Sequence, residues 1–347
     1  MFHPFEKERR LAALFIRSEL HDVITNRHWL RQAALLPGLV LCLIMIAETG
    51  YTRGPKHAEG KLQVFFTGNI RGNVSPCGCH ISKGGVIRLA NYVENNQSAD
   101  GNRLLIDAGN FVERGFSGLG CSEKCALMVA SFATLGYDAV NIGGQELALG
   151  YATLKALGDT TVGIRFISAN IVDAATGGLM FDPYVIMDFG SMSVGVIGLF
   201  SDAAVASVTG FDTSVMRVTS LQAAAEQYLA ELGSKVNKIV VVGELADSEV
   251  RQIVAAYPQV DLVILSGSQR MAEVMRKIGG ARVMSAGASG YNGHYVNMEY
   301  HAAWGDSFAF HDYMVTLTEE YDFAGELSEK LIALGVKSVP PMPEETE

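Results

Sequence analysis

Short apolar runs alternate with amphipathic stretches along the chain from residue 61 onward. The apolar runs have the length and the β-branched composition of buried strands, and the stretches between them repeat apolar residues at helical spacing. The runs predict strands at Leu62–Thr67, Arg103–Asp107, Ala139–Ile142, Phe166–Ser168, Tyr184–Phe189, Met192–Leu199, Lys238–Val242, Asp261–Leu265, Ala281–Ala286 and His294–Tyr300. The stretches predict helices at Gly85–Asn95, Glu123–Leu135, Gly150–Leu157, Ser220–Val236, Asp247–Ala256 and Ala324–Leu334.

The alternation of strands and helices predicts an α/β fold with a mainly parallel sheet, helices on both faces, and function at the carboxyl ends of the strands. Two regions, 184–199 and 281–300, have strand pairs with no helix between them, which suggests antiparallel additions. We expect one domain over 61–320. A C-terminal helix and a disordered, Pro-rich acidic tail are expected within 321–347.

The first sixty residues have a different pattern. Residues 1–32 combine basic and apolar residues at helical spacing, which predicts a cytoplasmic amphipathic lead. Residues 33–51 contain the uncharged run AALLPGLVLCLIMIA, which predicts a short or tilted transmembrane helix, with Trp29 and Tyr51 at the two interfaces. A cleaved signal peptide is the alternative, because its apolar region has a similar length. Residues 52–60 are a polar linker.

Charge indicates where the domain lies and which partners it has. Basic residues are more numerous before the apolar run than after it, so the positive-inside rule places the N-terminus in the cytoplasm. The sequence therefore predicts a single-pass protein of the inner membrane with an extracytoplasmic, periplasmic domain. Other membrane-protein subunits are the expected partners. A formal charge of −10 and the lack of a basic stretch argue against nucleic acid.

Four of the five cysteines lie in two clusters, Cys77 with Cys79 and Cys121 with Cys125, while Cys42 lies in the apolar run. An even number of cysteines in an extracytoplasmic domain favours disulfides, and three pairings are open. Four thiolates that hold zinc are the alternative. The sequence CGCH does not fit haem attachment, because that pattern has two residues between the cysteines.

Short polar sequences follow five of the predicted strands: GNIRG, DAGNF, IGGQE, GEL and SGSQR. Together with the phrases LLIDAGNF, LGYDAVNIGGQEL and VMSAGASGYNGHYVNMEY, they resemble in order and spacing the motifs of the calcineurin-like metallophosphatase superfamily, in particular the amino-terminal domain of bacterial 5′-nucleotidases. The resemblance covers about residues 62–318. It implies a two-sheet sandwich flanked by helices.

The same resemblance implies that the metal-binding positions are substituted. Enzymes of the superfamily hold two divalent metals with carboxylate, imidazole and amide groups. The matching positions in this chain are Asn69, Arg71, Asn110, Gly144, Gln145, Glu244, Ser268 and Arg270. Neutral amides bind divalent cations poorly without carboxylates, and a guanidinium cannot bind them. We therefore expect no catalytic residue, no metal and no cofactor.

In place of the metals, the substitutions predict a cluster in which Glu244 lies between Arg71 and Arg270, with hydrogen bonds from Asn69, Asn110 and Gln145. The favoured function is a pseudoenzyme that serves as a scaffold or accessory subunit of a membrane complex. One alternative is an anion- or nucleotide-binding module that uses Arg71 and Arg270. The other is an active, metal-dependent phosphohydrolase.

Overall fold

The computed structural model describes residues 60–99, 102–113, 120–159, 163–190, 192–266, 275–300 and 308–337. The strands are β1 Gly60–Thr67, β2 Arg103–Asp107, β3 Ala139–Asn141, β4 Phe166–Ile167, β5 Ile171–Asp173, β6 Tyr184–Asp188, β7 Ser193–Phe200, β8 Met216–Val218, β9 Lys238–Glu244, β10 Val260–Leu265, β11 Arg276–Ile278, β12 Ala281–Ser285, β13 Asn292–Tyr300 and β14 Phe308–Thr316. The α-helices are α1 Val86–Asn96, α2 Glu123–Leu135, α3 Gly144–Leu147, α4 Tyr151–Gly158, α5 Leu221–Lys235, α6 Asp247–Ala256 and α7 Glu326–Ala333.

Most strands lie in two six-stranded sheets. The first sheet has the order β14-β13-β1-β2-β3-β4, and the second has the order β11-β12-β10-β9-β7-β6. Strands β1 to β4 run parallel in the first sheet, as do β7, β9, β10 and β12 in the second. Strands β13, β14, β6 and β11 join antiparallel at the outer positions. The small pair β5 and β8 forms a separate ladder.

An apolar layer separates the two sheets. Alternate residues of the central strands supply it, among them Leu62 and Val64 from β1 and Val240 and Val242 from β9. The intervening residues face the helices, so that Phe65 of β1 packs with the helical layer on one side and Val241 of β9 with that on the other. Both faces of each central strand are therefore buried, which explains why these strands read as almost continuous apolar runs.

Local signals set the limits of helix α2. The Ser122 hydroxyl oxygen accepts a hydrogen bond from the Cys125 N–H at 3.1 Å and caps the first turn. Gly136 ends the helix with φ 71° in the left-handed region, where glycine carries no Cβ penalty. The predicted bounds of this helix are confirmed by the structure.

Helix α7 packs against helix α1 near the end of the described chain. The Asn91 side-chain amide donates to the carbonyl oxygens of Tyr321 and Phe323, both at 2.7 Å, and Leu331 is fully buried. The C-terminal helix predicted from the sequence is therefore part of the helical layer that covers the first sheet.

The predicted α/β sandwich with outer helices is confirmed. The antiparallel additions predicted at 184–199 and 281–300 are confirmed for β6 and β13, whereas β12 pairs parallel with β10 in the second sheet. None of the helices in the described ranges combines the length and the hydrophobicity that a membrane span requires. The predicted lead, transmembrane segment and linker lie outside those residues except for Gly60, and so does the predicted tail from residue 338.

Candidate functional site

The parallel strands of both sheets end at one edge of the sandwich. Gly68 follows β1, and a Cβ atom there would lie 3.1 Å from the Cβ of Ala286 and 3.2 Å from that of Ala108. Ser266, which follows β10, would be 3.3 Å away. Small residues thus let the two sheets meet at their carboxyl ends, which is where ligands bind in α/β folds. We use the name strand-end site for Asn69, Arg71, Asn110, Gly144, Gln145 and Glu244.

Three residues of the strand-end site have a left-handed backbone: Asn69 with φ 57°, Arg71 with φ 58° and Asn110 with φ 63°. Asparagine tolerates this region, whereas arginine is strained in it. Backbone hydrogen bonds hold the first loop to the second, from Asn69 N to Gly109 O at 2.7 Å and from Arg71 N to Asn110 O at 3.0 Å. The backbone shape of this edge is therefore tightly specified.

The Asn69 side chain links two loops. Its amide Nδ2 donates to the Gly287 carbonyl oxygen at 3.0 Å, and its Oδ1 accepts from Nε of Arg71 at 2.8 Å. Asn69 is buried with 1% exposure, while Arg71 is partly exposed. The first motif thus places a guanidinium next to a buried amide.

The Asn110 side chain joins the two sheets. Its Nδ2 donates to Oε2 of Glu244 at 2.9 Å, and its Oδ1 accepts from the Gln145 backbone N–H at 2.9 Å. The same Glu244 oxygen accepts from the Gly144 N–H at 3.0 Å. A Cβ atom at position 144 would lie 3.2 Å from this carboxylate oxygen. Glycine therefore lets the third loop come close to Glu244.

The predicted cluster of two arginines around Glu244 is described only in part. Arg71 donates to Asn69, and Glu244 accepts from Asn110 and Gly144. The predicted hydrogen bonds of the Asn69 amide with Arg71 and of the Asn110 amide with Glu244 are therefore present. Ser268 and Arg270 lie outside the described residues. Gln145 contributes its backbone N–H to this network.

The third motif ends in Glu146, and the sequence predicts that this residue, like Asp107, caps or orients a loop. It is fully buried, and its carboxylate accepts three backbone N–H groups, from Asn110 at 2.8 Å, Val112 at 2.9 Å and Gly143 at 2.8 Å. Desolvation outweighs these hydrogen bonds and raises the pKa of Glu146 to about 7. A single carboxyl group thus organises the second and third loops.

Asp107 has a similar role one loop away. Its carboxylate accepts from the Thr67 hydroxyl at 2.6 Å and from the Gly109 N–H at 2.7 Å, and the residue is fully buried. Burial raises its pKa to about 7. Asp107 and Glu146 are therefore structural anchors of loops, with their oxygens already occupied by protein donors.

His294 lies in the apolar layer, opposite β1. It stacks on the Phe66 ring with centroids 5.0 Å apart, and neither ring nitrogen has a hydrogen-bond partner among the described residues. Burial lowers the pKa of His294 to about 4, which keeps the imidazole neutral. It is a core residue.

The donor set of the strand-end site does not match a two-metal centre. Such centres need several carboxylates and imidazoles around each ion. Here the amides of Asn69 and Asn110 are held by protein partners, and Glu244 is the carboxylate among the substituted positions. Within the part of the chain that the structure describes, no three His, Cys, Asp or Glu side chains are grouped to hold a metal ion.

Of the disulfides that the three possible pairings allow, the described residues contain one, and it lies within the second cysteine cluster. Cys121 and Cys125 form a disulfide with Cα atoms 5.4 Å apart across the first turn of α2. Cys77 and Cys79 are free thiols, the first half-buried and the second exposed. The second cluster therefore forms a disulfide, as predicted, and the first cluster does not.

Comparisons with known proteins give the class of fold. No protein-family model matches the chain. A 2′,3′-cyclic-nucleotide 2′-phosphodiesterase/3′-nucleotidase of Yersinia enterocolitica is 30% identical over 115 residues, which is 30% of this chain and 17% of that protein.

Solved structures agree with this similarity. The 5′-nucleotidase precursor of Thermus thermophilus superposes with a TM-score of 0.64 at 18% identity, over 79% of this chain and 58% of that one. The calcineurin-like phosphoesterase YfkN of Bacillus subtilis superposes with a TM-score of 0.64 at 14% identity, over 80% and 97%.

The chain therefore has the fold of the calcineurin-like phosphoesterases and 5′-nucleotidases, which confirms the resemblance predicted from the sequence. It spans less than two thirds of both the Yersinia protein and the Thermus nucleotidase.

Proposed function

We propose that this protein is a non-catalytic relative of the metal-dependent phosphoesterases that acts outside the cytoplasm as a scaffold or accessory subunit of a membrane complex. The observation that carries the proposal is the bonding of Glu244 to Asn110 and Gly144. It places the carboxylate found among the described substituted positions on neutral protein donors, at the edge where relatives of this fold would need metal ligands.

The charge of the first motif supports the same conclusion. The Arg71 guanidinium is fixed beside Asn69 by a 2.8 Å hydrogen bond. A guanidinium remains protonated at all physiological pH values and repels a divalent cation nearby. The positive charge at this edge therefore comes from the Arg71 side chain, whereas a metal-dependent enzyme would carry it on exchangeable metal ions.

Metal content and hydrolysis test the loss of catalysis. We expect the purified protein, dialysed against manganese or zinc, to retain well under one equivalent of metal, and to leave phosphodiester and 5′-nucleotide substrates intact. Elemental analysis and phosphate release measure these properties. About two tightly held equivalents together with metal-dependent turnover would establish the active hydrolase instead.

The membrane location and the partner subunits are supported by the sequence. The uncharged run within residues 33–51 and the basic residues before it favour a single membrane crossing with the folded domain outside. Purification from native membranes in mild detergent should recover the chain with a constant set of other membrane proteins. Recovery from the soluble fraction, or as a single species, would contradict the scaffold role.

Anion binding is the second candidate function. It is favoured by the Arg71 guanidinium, whose planar N–H groups suit phosphate or carboxylate, and by the similarity to a phosphodiesterase that acts on nucleotides. Calorimetric titration with phosphate and with nucleoside monophosphates tests it, and Arg71→Met is the matched variant. Binding that the variant loses would support this function, and no heat at millimolar ligand would exclude it.

A further inference from the structure

The loop after β1 holds the two free thiols in a fixed position. The Cys77 N–H donates to the Lys83 carbonyl oxygen at 2.9 Å, and the Val86 N–H donates to that of Val74 at 2.9 Å. These hydrogen bonds close the loop at its middle and at its base. The thiols therefore belong to an ordered turn on the surface of the domain.

A buried arginine anchors this turn to the helical layer. Arg88 has 1% exposure and donates to the Ser82 carbonyl oxygen at 2.8 Å. The Nε and Nη2 atoms of Arg88 donate to the two carboxylate oxygens of Asp322, at 2.7 and 2.6 Å. Bidentate pairs of this kind fix geometry as well as charge. The thiol-bearing loop thus has a rigid base.

The thiols differ in environment although one residue separates them. Cys77 is half-buried, whereas Cys79 is exposed. Partial burial raises the pKa of Cys77, but hydrogen bonds from the Cys79 side chain and from the Lys83 backbone outweigh it and lower the pKa below its usual value. The hydrogen bond with Cys77 raises the pKa of Cys79. The first thiol is thus the better nucleophile at neutral pH.

Access to the pair is open. No described atom outside residues 77–79 lies within 4 Å of the place where a Cβ on Gly78 would be, so the connecting residue borders open space. Ile81, four residues after Cys77, is 56% exposed and offers an apolar contact next to the thiols. A chain segment of another protein can therefore approach the two sulfur atoms.

We infer that Cys77 and Cys79 form a thiol–disulfide exchange site whose substrates are accessible disulfides of proteins or peptides. The Cys77 thiolate attacks one sulfur of the substrate disulfide, that S–S bond breaks, and the other sulfur leaves as a thiolate that takes up a proton. Cys79 then loses its proton and attacks the Cys77 sulfur. A Cys77–Cys79 disulfide forms, the second substrate thiol is released, and two electrons have passed to the substrate.

The Cys121–Cys125 pair does not take part in this reaction. It is already joined as a disulfide across the first turn of α2, and Cys125 is fully buried. Within the described residues the chain therefore contains one formed disulfide, with Cys121 exposed and Cys125 buried, and one dithiol, with Cys79 exposed and Cys77 half-buried.

Glutathione disulfide is the probe for the test. The full chain in mild detergent, with Cys42→Ser in all samples, is equilibrated at several ratios of glutathione to its disulfide, and thiols are trapped and located by mass spectrometry. We expect a single two-electron transition in which Cys77 and Cys79 become joined, with little mixed disulfide. The Cys79→Ser variant should accumulate glutathione on Cys77.

The Cys77→Ser variant is the matched control. Its remaining Cys79 can form only a mixed disulfide with glutathione, so the single two-electron transition should be lost. Two independent glutathione adducts with equal rates and no internal disulfide would overturn the inference. Stoichiometric zinc that protects both thiols until a chelator is added would also overturn it.

Discussion

The apolar layer between the sheets and the strand-end site lie in the same domain but are specified in different ways. In the layer, Leu62, Val64 and Val240 are buried by other apolar side chains, and any residue of similar size and polarity would serve. At the strand ends each polar atom has a particular partner, as Asn110 has with Glu244 and the Gln145 N–H. The fold therefore depends on a pattern, and the site depends on individual residues.

Under the proposed function, this difference explains how the sandwich is retained at an edge that has lost its metal ligands. A substitution at the edge leaves the apolar layer untouched, provided that buried donors and acceptors still find partners. Glycine at position 144 and asparagine at position 110 meet that condition through Glu244. Side chains of the strand-end site can therefore change without loss of the fold, because few of them also belong to the apolar layer.

Removal of the Glu146 carboxylate should have the largest effect on the edge. Glu146→Ala leaves three buried backbone N–H groups without an acceptor, and we expect a loss of about 4 kcal/mol in the free energy of unfolding. Leu62→Ala in the apolar layer should cost a comparable ~2–5 kcal/mol. Chemical denaturation followed by circular dichroism compares the two variants.

Gln145→Ala is the control for the Glu146 variant. It keeps the backbone N–H that bonds to Asn110, and the partly exposed side chain should contribute no more than about 0.5 kcal/mol. A loss below about 1 kcal/mol for Glu146→Ala would show that the loops do not depend on this carboxylate.

Asp107 should make stability depend on pH. Its pKa of about 7 in the folded protein is above its usual value of 3.8 in the unfolded chain, so folding favours the protonated form. This contribution is fully present below pH 3.8 and is lost as the pH rises through about 7. The shift corresponds to about 4 kcal/mol. Asp107→Asn, measured by denaturation at about pH 4 and about pH 8, should gain stability relative to the wild type as the pH rises.

The asparagine variant keeps the local hydrogen bonds. Its Oδ1 can accept from Gly109, and its Nδ2 can donate to the Thr67 hydroxyl, which then donates to Tyr137 at 2.8 Å. Burial lowers the pKa of His294, so His294 favours folding at higher pH and gives the opposite slope between pH 4 and 6.5. Glu146, whose pKa is also raised to about 7, gives the same slope as Asp107. The difference between variant and wild type removes the part of these contributions that the two proteins share, and a difference that is constant with pH would contradict the raised pKa of Asp107.

Glu244 is expected to have a smaller effect. Glu244→Ala leaves the Asn110 amide and the Gly144 N–H without their shared acceptor, and the site is only partly buried, so we expect a loss of about 2 kcal/mol. Glu244→Gln keeps an acceptor oxygen and should retain most of that stability. Urea denaturation of both variants separates hydrogen bonding from charge. Equal losses would show that the negative charge matters more than the contacts.

The sequence predicted the sandwich well because its main strands are buried on both faces. Strand β2 and helices α2 and α6 have the predicted bounds. An apolar run defines β2, and the caps Ser122 and Gly136 define α2. The three-residue strand β11, with the sequence RKI, carries no such pattern. It exists only because β12 lies beside it, which is a tertiary effect.

The edge was harder to predict than the sandwich. Sequence spacing placed Asn69, Asn110 and Glu244 at strand ends, which is correct, but it does not define which side chain each one contacts. The sequence predicted that Glu146 orients a loop but not its three N–H partners, because these come from two loops that meet only in the folded chain. Partner choice depends on differences in distance of less than about 1 Å, and no spacing rule gives those.

The smallest expected effect concerns the strained backbone at Arg71, where φ is 58°. Arg71→Gly and Arg71→Ala both remove the guanidinium and its bond to Asn69, but only glycine relieves the left-handed strain. We expect the glycine variant to be more stable than the alanine variant by about 1 kcal/mol in denaturation experiments. The same pair at Gln145, in helix α3, should have the opposite order, since glycine disfavours helices by about 1 kcal/mol. An alanine variant as stable as the glycine variant at position 71 would mean that the loop relaxes, and that hydrogen bonds at this edge do not enforce the backbone shape.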